Sequence, residues 1–221
     1  MPEPNHGSAR LGGPTASRRR ILGWLSVTAL AAFAAPRAAA DYRAPTPGMT
    51  AGPFYPNTFP PDSDADLTRI EGRGSVAEGS ILDVSGRVLD RGGRPRAGAR
   101  VEIWQCDAHG QYHHVGGPEF AGDPNFQGFG ALTTDAEGRY AFRTIRPVPY
   151  PGRTPHIHFS VLEGGRRRLT SQMFIEGDPG NERDGLYRYL GREARLVTMR
   201  LEEAPAPSGA KLRGALDIVL T

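Results

Sequence analysis

The chain has 221 residues, enough for one domain with a substantial core or for two small ones. Its 29 Gly and 20 Pro make it turn-rich without bringing it into the range of disordered sequence. The formal charge of +3 does not describe a nucleic-acid binder. Residues 1–40 hold five Arg (Arg10, Arg18, Arg19, Arg20, Arg37) against one acid, Glu3, and the rest of the chain carries 22 basic and 23 acidic residues.

The N-terminus reads as an address. Ser17-Arg18-Arg19-Arg20-Ile21-Leu22-Gly23 opens an uncharged stretch that runs to Ala35, and Ala38-Ala39-Ala40 supplies the small residues a signal peptidase accepts. The apolar run is shorter than the roughly 20 residues needed to span a bilayer. The Arg18-Arg19 pair resembles a twin-arginine signal. The expectation is export, to the periplasm or the medium, with cleavage after Ala40 and no stable membrane insertion afterwards. The lone cysteine, Cys106, excludes an intramolecular disulfide and reads as a small apolar filler in a buried strand.

Residues 41–75 are expected to form an extended arm containing Thr50-Ala51-Gly52-Pro53-Phe54-Tyr55-Pro56, and residues 76–221 the folded domain. Beyond the arm, short strand-like segments alternate with turn signals. They are Ile81–Leu89, Ala99–Cys106, Leu132–Thr134, Arg139–Ile145, His156–Leu162, Leu169–Ile175, Arg195–Leu201 and Leu212–Leu220. Asp135-Ala136-Glu137-Gly138 is expected to join two of them as a hairpin, Arg166-Arg167-Arg168 to sit in a solvated turn, and residues 180–192 to hold a short helical turn. This pattern predicts a single all-β domain, an antiparallel β-sandwich.

The sharpest local signal is Pro155-His156-Ile157-His158-Phe159-Ser160-Val161. Side chains alternate across a strand, so Ile157, Phe159 and Val161 can face a core while His156 and His158 share the other face. Such a pair can grip one metal ion, or the two can be hydrogen-bonded surface histidines. Tyr150, in the rigid segment Arg146-Pro147-Val148-Pro149-Tyr150-Pro151, and Tyr112, just after a strand, could add two phenolates. Two phenolates with two imidazoles would suit Fe(III) better than zinc. A phenol with an ordinary pKa near 10 needs a strongly Lewis-acidic ion to stay ionised at neutral pH.

Gly98-Ala99-Arg100-Val101-Glu102-Ile103-Trp104-Gln105, the run from Asp107 to Tyr112, Asp123-Pro124-Asn125-Phe126, Arg143 to Pro147, Pro149-Tyr150-Pro151 and Pro155 to Phe159 together resemble the intradiol ring-cleavage dioxygenases, in particular the protocatechuate 3,4-dioxygenase β-chain type, over about residues 48–178. The resemblance implies a β-sandwich with one mononuclear non-haem Fe(III). That ion would open a catechol-type aromatic diol with O2 to a cis,cis-muconate. Tyr112, Tyr150, His156 and His158 fall at the metal ligands, Tyr150 being the one that leaves when substrate arrives. Arg153 and Gln172 fall at residues that stabilise charge developing on the ring. Trp104, Phe54, Tyr55 and Gly152 fall around the substrate. Between Tyr150 and His156 this chain has a shorter loop than the family usually carries, with Gly152 where a bulky residue is common. Relatives assemble, so a homo-oligomer is a further expectation.

Two other readings compete. His156, His158 and Glu163 have a spacing compatible with a cupin-type Fe or Mn site, and a β-sandwich can also be a non-catalytic binding module. His109, His113 and His114 are read as surface or supporting groups.

Overall fold

The computed structural model describes residues 42–112 and 122–221; His113, His114 and the leader lie outside them. Two five-stranded sheets pack face to face. The first contains β1 (Ile81–Asp90), β4 (Arg139–Ile145), β8 (Leu201–Glu203), β9 (Leu212–Ala215) and β10 (Ile218–Leu220). The second runs β3 (Phe129–Thr133), β2 (Arg100–Trp104), β5 (His156–Glu163), β6 (Arg166–Ile175), β7 (Thr198–Met199). Most pairings are antiparallel, as expected, but β1 pairs in parallel with β9 and β10, and β6 with β7, so both sheets are mixed.

Period-two alternation builds the core between the sheets. Leu82, Val84 and Val88 of β1 and Tyr140 and Phe142 of β4 point inward, meeting Val101 and Ile103 of β2 and Ile157, Phe159 and Val161 of β5. Burial of this apolar surface, at about 25 cal/mol per Å², is the dominant favourable contribution to folding. The first six residues of β5 are buried without alternation, because both faces of that strand are covered.

Several local expectations are corrected. Leu132–Thr134 and Arg139–Ile145 do not form a hairpin: β3 pairs with β2 and β4 with β1, so the Asp135–Gly138 turn carries the chain from one sheet to the other. The arginine triplet opens β6 rather than forming a turn. The turn is Gly164-Gly165 alone, both at positive φ (55° and 76°), a two-residue connection that lets the hairpin pair as far as Glu163 and Arg166. The segment expected as a strand from Arg195 begins inside a 3-10 turn, Gly191–Leu196, because helix-compatible residues follow α1 (Gly185–Leu190) with no proline to stop them.

The arm is anchored at each step. Thr46 N–H donates to the Val219 carbonyl (2.9 Å), Met49 N–H to Thr170 (2.8 Å), and Ser171 Oγ to Pro47 (2.7 Å). Residues 63–68 belong to the sandwich instead, with backbone bonds to Ala131 and Arg143 and Leu67 fully buried in the core.

One corner shows how tightly the first sheet closes. Tyr140 Oη donates to the Leu216 carbonyl at 2.6 Å in the interior, and a Cβ on Gly86 would lie 1.9 Å from that same oxygen. Gly86→Ala must therefore displace backbone. The expected loss is about 3 kcal/mol, at the upper end for overpacking, read as a lowered midpoint in urea unfolding.

Candidate metal centre and diol site

β5 carries the two histidines to one spot. His156 and His158 are 2% and 1% exposed, on the face opposite the core. His156 Nδ1 donates to the Thr154 carbonyl (2.6 Å), which fixes its tautomer and turns Nε2 inward, 3.1 Å from Nε2 of His158. Burial, with the Arg153 charge adding to it, lowers the His156 pKa to about 4, so the imidazole is neutral and able to ligate at pH 7.

Both tyrosines join them. Tyr150 Oη lies 3.3 Å from His156 Nε2. The buried Tyr112 ring meets Tyr150 edge-on at 5.8 Å and His158 at 6.3 Å between centroids. The hydroxyls of Tyr112 and Tyr150 interact, with Tyr112 keeping its proton more firmly. Burial raises both phenols above the ordinary tyrosine range, and Arg153 partly offsets this at Tyr150. A buried phenol of this kind ionises only beside a strongly Lewis-acidic cation, so two imidazoles and two phenols fit a ferric ion by donor type. Among the described residues, no three His, Cys, Asp or Glu come together as a metal site. Glu163, which the cupin reading needs, sits seven residues along β5 from His156, roughly 23 Å at strand rise. Its carboxylate is instead held by both Arg96 Nε and Nη2 (2.7 and 2.9 Å).

Arg153 lies at the centre of a polar cluster. Its guanidinium donates through Nη1 to Tyr150 Oη (3.2 Å), through Nη2 to Gln172 Oε1, and through Nε to Asp184 Oδ2 (2.9 Å). Gln172 in turn donates to the Thr50 carbonyl of the arm (3.2 Å). The remaining expected residues divide. Phe54 stacks on Tyr112 (4.3 Å, 13°) and meets Tyr150 edge-on, roofing the phenols. Gly52 brings arm backbone over the His158 ring. Trp104 is fully buried and stacks on His158 (5.0 Å, 9°), bearing on the site through that imidazole. Tyr55 turns its hydroxyl to Glu102 (2.9 Å) beneath Arg167 and so ties down the arm. Gly152, at φ 80°, faces open space. His109 is half exposed beside Glu78, as a surface residue. Cys106 is buried, and its thiol is pushed up to about 12.

Asp184 went unread in the sequence. Its buried carboxylate receives Arg153 Nε and Thr154 N–H on one oxygen and caps α1 through Leu186 N–H (2.9 Å) and Tyr187 N–H (3.1 Å) on the other. The available signal was an Asp before a short helical pattern, which predicts a cap but not an arginine 31 residues earlier.

With this geometry in view, the comparisons are specific. A family model described as a dioxygenase matches residues 50–220. The β chain of protocatechuate 3,4-dioxygenase from Burkholderia cepacia is 40% identical over 167 residues, covering 71% of each chain. Hydroxyquinol 1,2-dioxygenase from Nocardioides simplex is 31% identical over 76% of this chain and 62% of its own, so this chain spans less than two thirds of that relative. Among solved structures, the dioxygenase domain of a dioxygenase–carbohydrate-binding fusion from Streptomyces sp. SirexAA-E superposes with a TM-score of 0.62 at 34% identity, over 80% of this chain and 98% of that one. The chain belongs to the intradiol ring-cleavage dioxygenase family.

Removing the Asp184 anchor strips a buried charge pair of one partner. Asp184→Ala is expected to cost about 3 kcal/mol in urea unfolding. Burial opposes the Asp184 charge, but Thr154 N–H, Tyr187 N–H and Arg153 outweigh it and hold the carboxyl below the ordinary range. Its contribution is therefore present above the unfolded value near 3.9 and lost as pH falls through the lower folded one. The stability gap between wild type and Asp184→Ala should shrink only in strong acid.

Proposed function

We propose that this chain is an iron-dependent intradiol dioxygenase that opens a catechol-type diol with O2 to a cis,cis-muconate. The observation that carries the reading is the convergence of His156, His158, Tyr150 and Tyr112 on one buried spot beneath the arm. Ferric iron, held by these four residues, would supply Lewis acidity toward the diol oxygens.

The protein's own part follows from its hydrogen bonds. Tyr150 is the less buried phenol, and its oxygen already accepts from Arg153, so with ferric iron bound it would be held as a phenolate and be the group able to take a proton from an arriving diol hydroxyl. Arg153 keeps its position through Asp184 and Gln172, and its guanidinium is fixed in advance beside the space where ring negative charge develops. Phe54 and the arm backbone at Gly52 exclude water from above. The leader read from residues 17–40 supports export as part of the same proposal, and no helix among the described residues is long and apolar enough to cross a membrane.

Three measurements test this. Protein loaded with iron should show a broad visible tyrosinate-to-Fe(III) band that shifts on anaerobic addition of catechol; a protein that stays colourless on iron loading overturns the reading. Tyr112→Phe and His158→Ala should each fail to retain stoichiometric iron by metal analysis. Arg153→Ala should keep its iron and its colour while kcat falls about 10²-fold, the scale seen when one preorganised donor is removed from a developing anion.

A further inference from the structure

The four residues proposed as ligands are not mounted alike. His156 and His158 are set by the register of β5 against β2 and β6. Tyr150 sits in a stiff run between Pro149 and Pro151, and its carbonyl accepts from the Arg153 N–H (2.9 Å). Tyr112 has neither device. β2 ends at Trp104, and Tyr112 lies eight residues beyond it, outside either sheet.

That stretch is gathered around one fully buried carboxylate. Asp107 Oδ1 accepts from the N–H groups of His109 (2.9 Å) and Gln111 (3.0 Å), and Oδ2 from the N–H of Asp123 (2.7 Å). The Asp107 backbone closes the same turn: its N–H donates to the Gln111 carbonyl (2.8 Å), and its carbonyl accepts from the Gly110 N–H (3.1 Å). A short side chain bonding the backbone just ahead of it fixes an irregular turn. This one also reaches Asp123, beyond positions 113–121, and so pins the chain both before and after Tyr112. Asp123 is itself buried, with Oδ2 accepting from the Glu78 N–H (2.6 Å) and Oδ1 from the Asn125 N–H (2.9 Å), which fastens the clamp to the domain. The turn bears on the second phenol too. Gly110 has φ 77°, and a Cβ there would lie 3.4 Å from the Pro149 carbonyl oxygen and 3.6 Å from Tyr150 Cβ. Where the clamp sits therefore decides how far apart the two phenols stand.

From this arrangement we infer that Asp107 is a positioning residue for the metal centre: its carboxylate delivers Tyr112 to the site, and sets its spacing from Tyr150, by holding the backbone at His109, Gln111 and Asp123. The inference rests on the proposed iron site and adds the residue on which its one donor outside a sheet or a proline-stiffened run depends. Asp184 acts elsewhere, on Arg153.

The test begins without metal. Protein carrying fluorotyrosine at its seven tyrosines is observed by fluorine NMR, with the Tyr112 and Tyr150 signals assigned through Tyr112→Phe and Tyr150→Phe. In Asp107→Ala three amides lose their acceptor, and both signals should shift or broaden while that of Tyr140, buried between the sheets, stays. Asp107→Asn keeps Oδ1 for His109 and Gln111 and should return Tyr112 close to its wild-type signal. Val84→Ala, a core truncation, should lower the urea midpoint without moving either signal. In iron-loaded protein, Asp107→Ala should bind iron about 10–100-fold more weakly, the scale for residues that orient metal ligands, with an altered tyrosinate band; Asp107→Asn should keep the band. Tyr112 and Tyr150 signals that are unchanged in Asp107→Ala, or that Val84→Ala moves equally, overturn the inference. If Asp107→Ala does not fold, Asp107→Ser, which keeps an acceptor for His109, is judged by the same criteria. Signals that shift as expected in a protein that never takes up iron would sustain the clamp and sink the dioxygenase reading.

Discussion

β5 has to satisfy two environments at once. Ile157, Phe159 and Val161 are locked into the core, and this obliges His156 and His158 to stand together on the other face. A one-residue slip of β5 against β2 or β6 would exchange the two sets, burying imidazoles in hydrocarbon and exposing three large apolar side chains. The register that keeps the core closed is thus the register that keeps the ligands facing inward. The arm completes the arrangement by covering the imidazole face, which would otherwise be open to water.

Around that strand the polar contacts form a chain of supports rather than a set of isolated pairs. Thr154 orients His156; Asp184 holds both the Thr154 backbone and Arg153; Gln172, in register with His158 on β6, links Arg153 to the arm. Each of these bonds is modest in net energy, about 1 kcal/mol for a neutral pair. Their effect is geometric: the site's orientation is set by backbone and buried side chains before any ligand enters.

Much of this was legible from residue order because alternation is a local property. The faces of His156 and His158, the buried Val101 and Ile103, and β4 as Arg139–Ile145 follow from period two alone. What stayed hidden depends on pairings across the chain. Whether β3 turns back onto β4 or crosses to the other sheet is decided by where the sandwich closes, and nothing in Asp135–Gly138 records it. The parallel pairing of β1 with β9 and β10 likewise joins residues more than a hundred positions apart. Tyr112 and Tyr150 could be nominated from the residues but were assigned as ligands only by resemblance, since a lone tyrosine in a loop has no periodicity. Tyr55 shows the same limit. Its place beside Phe54 was readable, yet its hydroxyl's commitment to Glu102, 47 residues away, was not.

The double use of Asp184 has a consequence for how order at the site can be observed. Its two oxygens divide between Arg153 and the first turn of a helix only six residues long, too short to persist without its cap. If the guanidinium lets go and the carboxylate turns toward water, the Leu186 and Tyr187 amides lose their acceptor in the same motion. Hydrogen exchange at those two amides would then follow the disorder of an arginine they do not touch, giving a backbone signal for a side chain that is otherwise hard to watch.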